Sequence, residues 1–449
     1  MSNLTSRREF FFNAGASAFG LAAARGHAQS RRTQPNLVVI LADDLGYGDL
    51  ACYGNDHVRT PNIDALAAGG MRFTDFHASG PVCSPTRAGL MTGRYQQRCG
   101  ITDVIFAAGP RDNGLAPEEV TFASQLKQAG YRTAIFGKWH LGYLPRFNPD
   151  KHGFDEFRGY VSGNVDYFSH VDQAGYADWW HNSKLEPEEG YTTELVTKHG
   201  VRFIEENKDR PFCLYLAHEA VHAPYQGPHD RPERTVNGKV TPQGSRKDVP
   251  NAYREMTEAM DEGIGKVMAT LKRLGLERDT FVFFFSDNGA TARGSNGVLR
   301  GFKGSLWEGG HREPAIAYWP GTIAPGQVTK ELTISLDVFP TLVSLGKARL
   351  PNRKLDGVNL TPLWTRHASL GERMLFWGHG KQRAVRQGRW KLVQNAVGAG
   401  SSKPMLFDLD TDLSEKHDVA ESQPDRVKTL TAALAAWDEE MARSAPAQK

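Results

Sequence analysis

Leu37-Val38-Val39-Ile40-Leu41-Ala42-Asp43-Asp44 sets six apolar residues directly against two carboxylates. A short run rich in β-branched residues, with no polar alternation, predicts a strand buried on both faces, as the interior of a parallel sheet requires. In open α/β sheets ligands collect beyond the carboxyl ends of the strands, so Asp43 and Asp44 become candidate site residues. Three later runs have the same form. Thr133-Ala134-Ile135-Phe136 delivers Gly137, Lys138, Trp139 and His140, and Phe281-Val282-Phe283-Phe284-Phe285 delivers Ser286, Asp287 and Asn288. Phe212-Cys213-Leu214-Tyr215-Leu216 leads into His218 and His222. A single pocket at one edge of the sheet would receive all four sets.

Helical stretches alternate with these runs, at roughly residues 62–68, 121–129, 191–206 and 251–274, and Gly69, Gly130 and Gly275 stand where helices stop. The order predicts an α/β fold, a large, mixed, mostly parallel sheet flanked by helices. At 449 residues the chain exceeds what one core usually organises. The patterning changes near residue 365. Residues 383–393 and 404–409 read as short antiparallel strands and 425–443 as a closing helix, so a main domain is expected over 35–365 and a smaller C-terminal α+β subdomain over 366–449. The Pro-, Gly- and charge-rich stretch 225–250 is expected to be a long surface excursion near the pocket.

The formal charge is +3, with 54 basic and 51 acidic residues, which carries no footprint of nucleic-acid binding or of a charged membrane surface. An anionic substrate would have to be met by cations gathered inside a site. Ser6-Arg7-Arg8-Glu9-Phe10-Phe11-Phe12, a small and apolar run to Ala24, and Gly26-His27-Ala28 resemble a twin-arginine signal peptide over residues 1–28, which implies the twin-arginine export machinery as a partner and a periplasmic or extracellular destination. No other stretch approaches transmembrane length. The chain has four cysteines, Cys52, Cys83, Cys99 and Cys213. With Cys83 chemically committed, at most one intramolecular disulfide can form among the other three, and no zinc spacing is present.

That commitment comes from Pro81-Val82-Cys83-Ser84-Pro85-Thr86-Arg87, followed by Thr92-Gly93-Arg94. Cys-x-Pro-x-Arg at the start of a helical stretch resembles the maturation signal of the type I sulfatases of the alkaline phosphatase superfamily, arylsulfatase- and N-acetylgalactosamine-sulfatase-like. Pro is tolerated in a first helical turn, and a helix N-terminus welcomes an anion. The resemblance implies that a formylglycine-generating or sulfatase-maturating enzyme oxidises Cys83 to formylglycine (3-oxoalanine), whose hydrate is the nucleophile. Gly137-Lys138-Trp139-His140-Leu141-Gly142, Gly301-Phe302-Lys303-Gly304 and Glu308-Gly309-Gly310-His311-Arg312 are similar to further family signatures. Gly46-Tyr47-Gly48-Asp49, Thr60-Pro61-Asn62-Ile63-Asp64 and Leu406-Phe407-Asp408-Leu409 extend the resemblance over most of residues 35–420.

By that match Asp43, Asp44, Asp287 and Asn288, with residue 83, hold calcium. An all-oxygen set suits such a hard cation. Arg87 supports the nucleophile and the metal, while Lys138 and Lys303 bind sulfate oxygens. His140 deprotonates the nucleophile during sulfate release, and His222 protonates the leaving alcohol. Ser162 takes the place of a serine contacting the nucleophile, and His218 is read as structural. Gly46 and Gly48 are expected to permit tight turning beside the metal, and Glu308 with Arg312 to brace the Lys303 loop. Trp179-Trp180-His181 would either stack on sugar rings or form a packed aromatic corner.

The function implied is hydrolysis of sulfate esters of carbohydrates or aryl alcohols. A formylglycine-dependent phosphonate monoester or phosphodiester hydrolase is the nearest alternative, and a catalytically silent binder of sulfated glycans a more distant one.

Overall fold

β1 (Asn36–Ala42) is hydrogen-bonded in parallel to Phe212–Ala217 on one side and to Thr280–Ser286 on the other. In this computed structural model residues 33–400 and 403–446 are described, and the signal-like segment expected at 1–28 lies outside the described residues. The strands after β1 are β2 (Met71–His77), β3 (Arg132–Lys138), β4 (Glu156–Tyr160), β5 (Trp180–His181), β6 (Lys184–Leu185), β7 (Phe212–Ala217), β8 (Thr280–Ser286), β9 (Arg312–Tyr318), β10 (Gln327–Thr329) and β11 (Thr333–Ile334). They form one sheet in the order β10-β2-β9-β8-β1-β7-β3-β4-β5-β6, with β11 also on β2. β9 runs antiparallel to both neighbours and β5 to β4 and β6, while the other pairings are parallel, so the sheet is mixed and mostly parallel.

Alternation along β1 explains why the run has no polar face. Leu37, Val39 and Leu41 enter one core, and Val38, Ile40 and Ala42 enter the other. The first core is covered by α2 (Cys83–Thr92), α3 (Phe122–Gln128) and α7 (Val338–Leu345), and the second by α1 (Pro61–Gly69), α4 (Thr192–Glu206) and α5 (Val249–Arg273). Each fully buried Val, Leu or Phe in these layers contributes about 1.5–3 kcal/mol relative to exposure. Two short helices complete this part, α6 (Glu308–His311) and α8 (Thr361–Thr365).

Beyond α8 the chain builds a four-stranded antiparallel sheet of β12 (Met374–His379), β13 (Gln382–Gln387), β14 (Trp390–Gln394) and β15 (Met405–Asp408). Helix α9 (Pro424–Ser444) closes over it through Leu430, Leu434, Trp437 and Met441, and Leu306, Trp307, Ile334 and Leu336 of the preceding chain enter the same core. The described residues from Thr33 onward form one compact unit. All four cysteines are unpaired. No helix among the described residues is long and apolar enough to cross a membrane.

The excursion after Tyr225 carries no helix or strand up to α5, but its base is fastened. Arg234 is buried and donates to Asn164 Oδ1 at 2.8 Å, and Gln226 Nε2 donates to Asp166 Oδ2 at 3.1 Å.

Candidate active site and metal centre

Because β1, β3, β7 and β8 are parallel neighbours, their carboxyl ends open on one edge, and the polar residues that follow each strand meet there. Asp43, Cys83 and Asp287 each bring a ligand atom within 4.8 Å of the others, as do Asp43, Asp44 and His222. Asp44 and His140 hold left-handed backbone conformations, with φ of 61° and 57°. For residues with a Cβ this costs about 1–3 kcal/mol each and persists only where the surroundings enforce it. The chain does turn tightly here, Asp49 N donating to Gly46 O at 3.1 Å, although neither Gly46 nor Gly48 takes a left-handed φ. A Cβ on Gly46 would lie 2.3 Å from Ser295 O, and one on Gly48 2.6 Å from Gly297 N, so close approach to the 295–297 segment is what excludes a side chain.

Helix α2 starts at Cys83, with Pro85 in its first turn, so position 83 sits at the positive end. One turn later Arg87 donates from Nε and Nη2 to Asp287 Oδ2 at 3.1 and 3.0 Å, and from Nη1 to Lys138 O at 3.0 Å. Lys138 Nζ binds Asp43 Oδ2, and Lys303 Nζ donates to Asp44 Oδ1 at 2.5 Å. Asn288 Nδ2 also donates to Asp44 Oδ1, at 2.7 Å.

These charges set the protonation states. Burial raises the Asp43 carboxyl, but Lys138, His222, Arg87 and Lys303 outweigh it and hold Asp43 well below the usual carboxylate range. Burial and the neighbouring Asp43 charge push Asp287 up to about 6. Burial pushes the Cys83 thiol up despite Lys138 and Lys303, so an unmodified Cys83 is a protonated, poor nucleophile at neutral pH. Asp43 Oδ1 and Asn288 Oδ1 are buried without a hydrogen-bond partner. Orphaned oxygens beside three carboxylates form a donor set that fits a hard divalent cation.

The two histidines differ in tautomer. His140 Nε2 lies 3.1 Å from Ile105 O and therefore carries the proton, while Nδ1 is buried and unpartnered, free to act as a base. Burial, then Lys138 and Arg87, keep its pKa well below the ordinary histidine value. His222 Nδ1 donates to Ala223 O at 2.6 Å, leaving Nε2 at 3.7 Å from Asp44 Oδ2. Burial and Lys303 lower His222 to about 4.

Ser162 spends its hydroxyl on Asn164 O at 2.9 Å, and its neighbour Gly163 lies against the His140 ring. His218 is buried, and burial lowers it to about 4. Of the alternatives for Trp179, the structure gives the packed corner. Its ring stacks on His170 at 4.3 Å and is 1% exposed, and Trp180 Nε1 donates to Asp178 Oδ1 at 2.6 Å. Glu308 and Arg312 are joined at 3.0 Å. Two contributors were not singled out from the sequence. One is the Ile105 carbonyl, which fixes the His140 tautomer. The other is Glu219, fully buried, its Oε1 accepting from Val165 N at 2.8 Å and its pKa raised well above normal by burial. A lone glutamate inside the apolar text Leu216 to Val221 was the available signal.

The family model described as Sulfatase matches residues 35–348. The chain belongs to the sulfatase family. It is 36% identical to arylsulfatase A of Homo sapiens over 465 residues, covering 91% of this chain and 88% of that protein. It is 36% identical to N-acetylgalactosamine-6-sulfatase of Mus musculus, covering 84% and 74%. Among solved structures it superposes on Ps i-CgsB in complex with k-i-k-neocarrahexaose with a TM-score of 0.81 at 31% identity, covering 90% of this chain and 92% of that one. The PsFucS1 sulfatase from Pseudoalteromonas sp. gives 0.75 at 26% identity, covering 93% and 92%. This sulfatase is thus a sulfuric ester hydrolase with an alkaline phosphatase-like fold.

Proposed function

We propose that this sulfatase releases inorganic sulfate from sulfated carbohydrates or aryl sulfates, with Cys83 matured to formylglycine and calcium held by Asp43, Asp44, Asp287, Asn288 and residue 83. The observation that carries this reading is the placement of Cys83 within 4.8 Å of Asp43 and Asp287, at the head of a helix whose Arg87 grips Asp287. Formylglycine at position 83 would supply, as its hydrate, a hydroxyl nucleophile and a second hydroxyl through which the carbonyl could re-form as sulfate leaves. Calcium held by these residues would supply Lewis acidity toward the sulfuryl oxygens.

The remaining work falls to the side chains. Lys138 and Lys303 hold the sulfate oxygens and offset the negative charge that grows on them. Arg87 keeps Asp287 and position 83 in fixed relation. His140, neutral and with Nδ1 free, takes the proton that permits sulfate release. His222 presents Nε2 toward the leaving oxygen. An approaching sulfate ester adds negative charge beside it and favours its protonated form, so that it can protonate the departing alcohol. Ser162 is assigned a supporting contact through the loop that carries Gly163.

Carbohydrate as the alcohol part draws support from the relatives that act on or bind carbohydrates, and from Phe302 and Phe106. These exposed rings adjoin Lys303 and Ile105 in sequence, and an exposed aromatic ring can stack on a sugar or aryl face. A formylglycine-generating enzyme matures Cys83, and the twin-arginine machinery exports the chain through Arg7 and Arg8 to the periplasm or beyond. Cell fractionation of an Arg7→Lys/Arg8→Lys variant tests the export, with retention in the cytoplasm expected.

For the reaction, p-nitrophenyl sulfate and phenylphosphonate are compared on matured enzyme. Sulfate turnover should dominate, fall with EDTA and vanish in Cys83→Ala. Preferential phosphonate turnover, or a fully active Cys83→Ala variant, overturns the proposal. A panel of defined sulfated mono- and disaccharides then identifies the sugar.

A further inference from the structure

Behind the Lys303 loop lies a second cluster of largely buried charge, reached by a surface cavity only at Asp75 and Arg386, that the catalytic assignment leaves unused. Asp75 and His77 reach it from β2, Glu308 and His311 from α6, and Arg312 from the start of β9. Arg386 enters from β13, Lys391 from β14, and Glu415 from the chain after β15. All are buried. His77, Glu308 and His311 are spaced to hold a metal ion, yet an ammonium already stands there. Lys391 Nζ lies 2.9 Å from Glu308 Oε1, 2.9 Å from Glu415 Oε1 and 3.2 Å from His311 Nε2. Arg312 and Arg386 reach the other Glu308 oxygen at 3.0 and 3.4 Å, so a dication would have to displace one cation and face two more.

The proton positions follow from donor arithmetic. An ammonium only donates, so His311 Nε2 accepts and the His311 proton is on Nδ1. That nitrogen is 3.0 Å from His77 Nδ1, which must then accept, leaving the His77 proton on Nε2, 2.8 Å from Asp75 Oδ1. Arg386 Nη1, 3.2 Å from His77 Nε2, directs its two hydrogens to Asp75 Oδ1 at 2.7 Å and Glu308 Oε2 at 3.4 Å. The chain therefore runs one way, Lys391 to His311 to His77 to Asp75, with both imidazoles neutral. Burial pulls both histidines below their ordinary pKa, and Lys391 adds to this at His311. At the other end of the cluster burial raises Glu308, but Lys391, Arg386 and Arg312 outweigh it and keep Glu308 ionised.

Both strands of this network end on catalytic parts. Ala78, beside His77, donates to His311 O at 2.7 Å and accepts from Trp377 Nε1 at 2.8 Å, fixing the segment that runs into Cys83. Glu308 closes the loop that carries Lys303, and its backbone N–H donates to Glu415 Oε2 at 2.6 Å. Gln382 of β13 donates to Gly304 O at 2.8 Å, and Gly304 N donates to Pro81 O at 2.8 Å, so loop and nucleophile segment are also tied to each other.

We propose that Lys391 is a positioning residue for Lys303 and for the segment leading to Cys83, its buried ammonium serving as a built-in cation that fixes the two-histidine chain and couples the small sheet to the sulfate site. This rests on the assignment of Lys303 to the substrate sulfate.

Lys391→Met keeps the length of the side chain and removes the charge. His311, faced by Glu308, Glu415 and His77 with Arg312, Arg386 and Asp75 behind them, can then take a proton and stand in as the cation. In matured, calcium-loaded enzyme we expect KM for aryl sulfate and the inhibition constant for inorganic sulfate to rise about tenfold or more at pH 8 and to recover toward pH 6, with kcat changing less. Wild type should show no such recovery, and Lys391→Arg should restore most of the affinity. Unchanged sulfate inhibition in Lys391→Met, or a loss equal at every pH, overturns the proposal.

A readout independent of folding variants and of catalysis is the protonation state in wild type, from two-bond nitrogen–proton correlations of histidine-labelled enzyme at pH 7. The expected result is His311 protonated on Nδ1 and His77 on Nε2. Any other tautomer, or a cationic ring, overturns it. Unchanged sulfate inhibition in Lys303→Ala would sink the assignment of Lys303 itself, which the histidine spectra do not touch.

Discussion

Arg87 Nε and Nη2 converge on a single oxygen of Asp287, at 3.1 and 3.0 Å, and so tie the nucleophile helix to the end of β8. The pair is buried, and the same guanidinium reaches Asp43 Oδ2 at 3.4 Å. Three segments distant in sequence are therefore held by one side chain.

Lysine cannot reproduce that fork. Arg87→Lys should lower kcat/KM by about a hundredfold or more, and Arg87→Ala should in addition cost about 3–5 kcal/mol of stability by leaving buried carboxylates unpaired. Steady-state kinetics and thermal unfolding with calcium held constant check this. A variant as stable and active as wild type would show the fork to be dispensable.

His140 is held neutral by burial and two cations, so its loss of base function lies below the ordinary histidine range. Between pH 8 and 6 the wild-type enzyme should show no loss of turnover attributable to this residue. His140→Gln retains a donor for Ile105 O but has no base, and kcat should fall by about a hundred- to ten-thousandfold with KM little changed. Rapid-quench comparison of alcohol release with sulfate release should place the defect in the second.

Burial and the Asp43 charge hold the Asp287 carboxyl at about 6. A raised carboxyl pKa means that the group is protonated below that pH, and metal binding must expel the proton. Calcium affinity should be nearly flat above pH 7 and weaken about fivefold between pH 6 and pH 5, approaching tenfold per unit below that, the signature of one displaced proton. Calorimetric titration in buffers of different ionisation enthalpy measures both affinity and proton count. A pH-independent affinity contradicts the assignment of Asp287.

Phe283 stands in β8 four residues before Asp287 and packs edge-on against Phe73 and Phe76 at 5.7 and 5.6 Å. Phe283→Ala should cost about 3–5 kcal/mol through lost burial and the cavity left behind. Denaturant unfolding reads the cost, and calcium affinity should stay within a few fold of wild type.

The parallel core was legible because each central strand is an unbroken apolar run ending in polar residues. Strands buried on both faces leave no other pattern, and parallel pairing brings those ends to one edge. Strand β12 was not anticipated: Met374 to His379 mixes small, aromatic and polar residues, and it becomes a strand only by pairing with β13. The cluster around Lys391 was equally hidden. Its members come from five separate segments, and a lysine in strand text reads as solvent-facing until tertiary packing supplies two carboxylates and an imidazole. Gly46 and Gly48 show the same limit, since what excludes their side chains is a segment about 250 residues away. Convergence of Asp43 and Asp287 was legible from their places at strand ends, Cys83 joined them only through the family resemblance, and the tautomer of His140 depends on a loop carbonyl that no local motif announces.

The most direct test joins peptide mass to turnover in one preparation. The peptide carrying residue 83 should be about 18 Da lighter than the cysteine form, and the converted fraction should equal the fraction of enzyme active on aryl sulfate. Full turnover with Cys83 still a thiol would contradict the account.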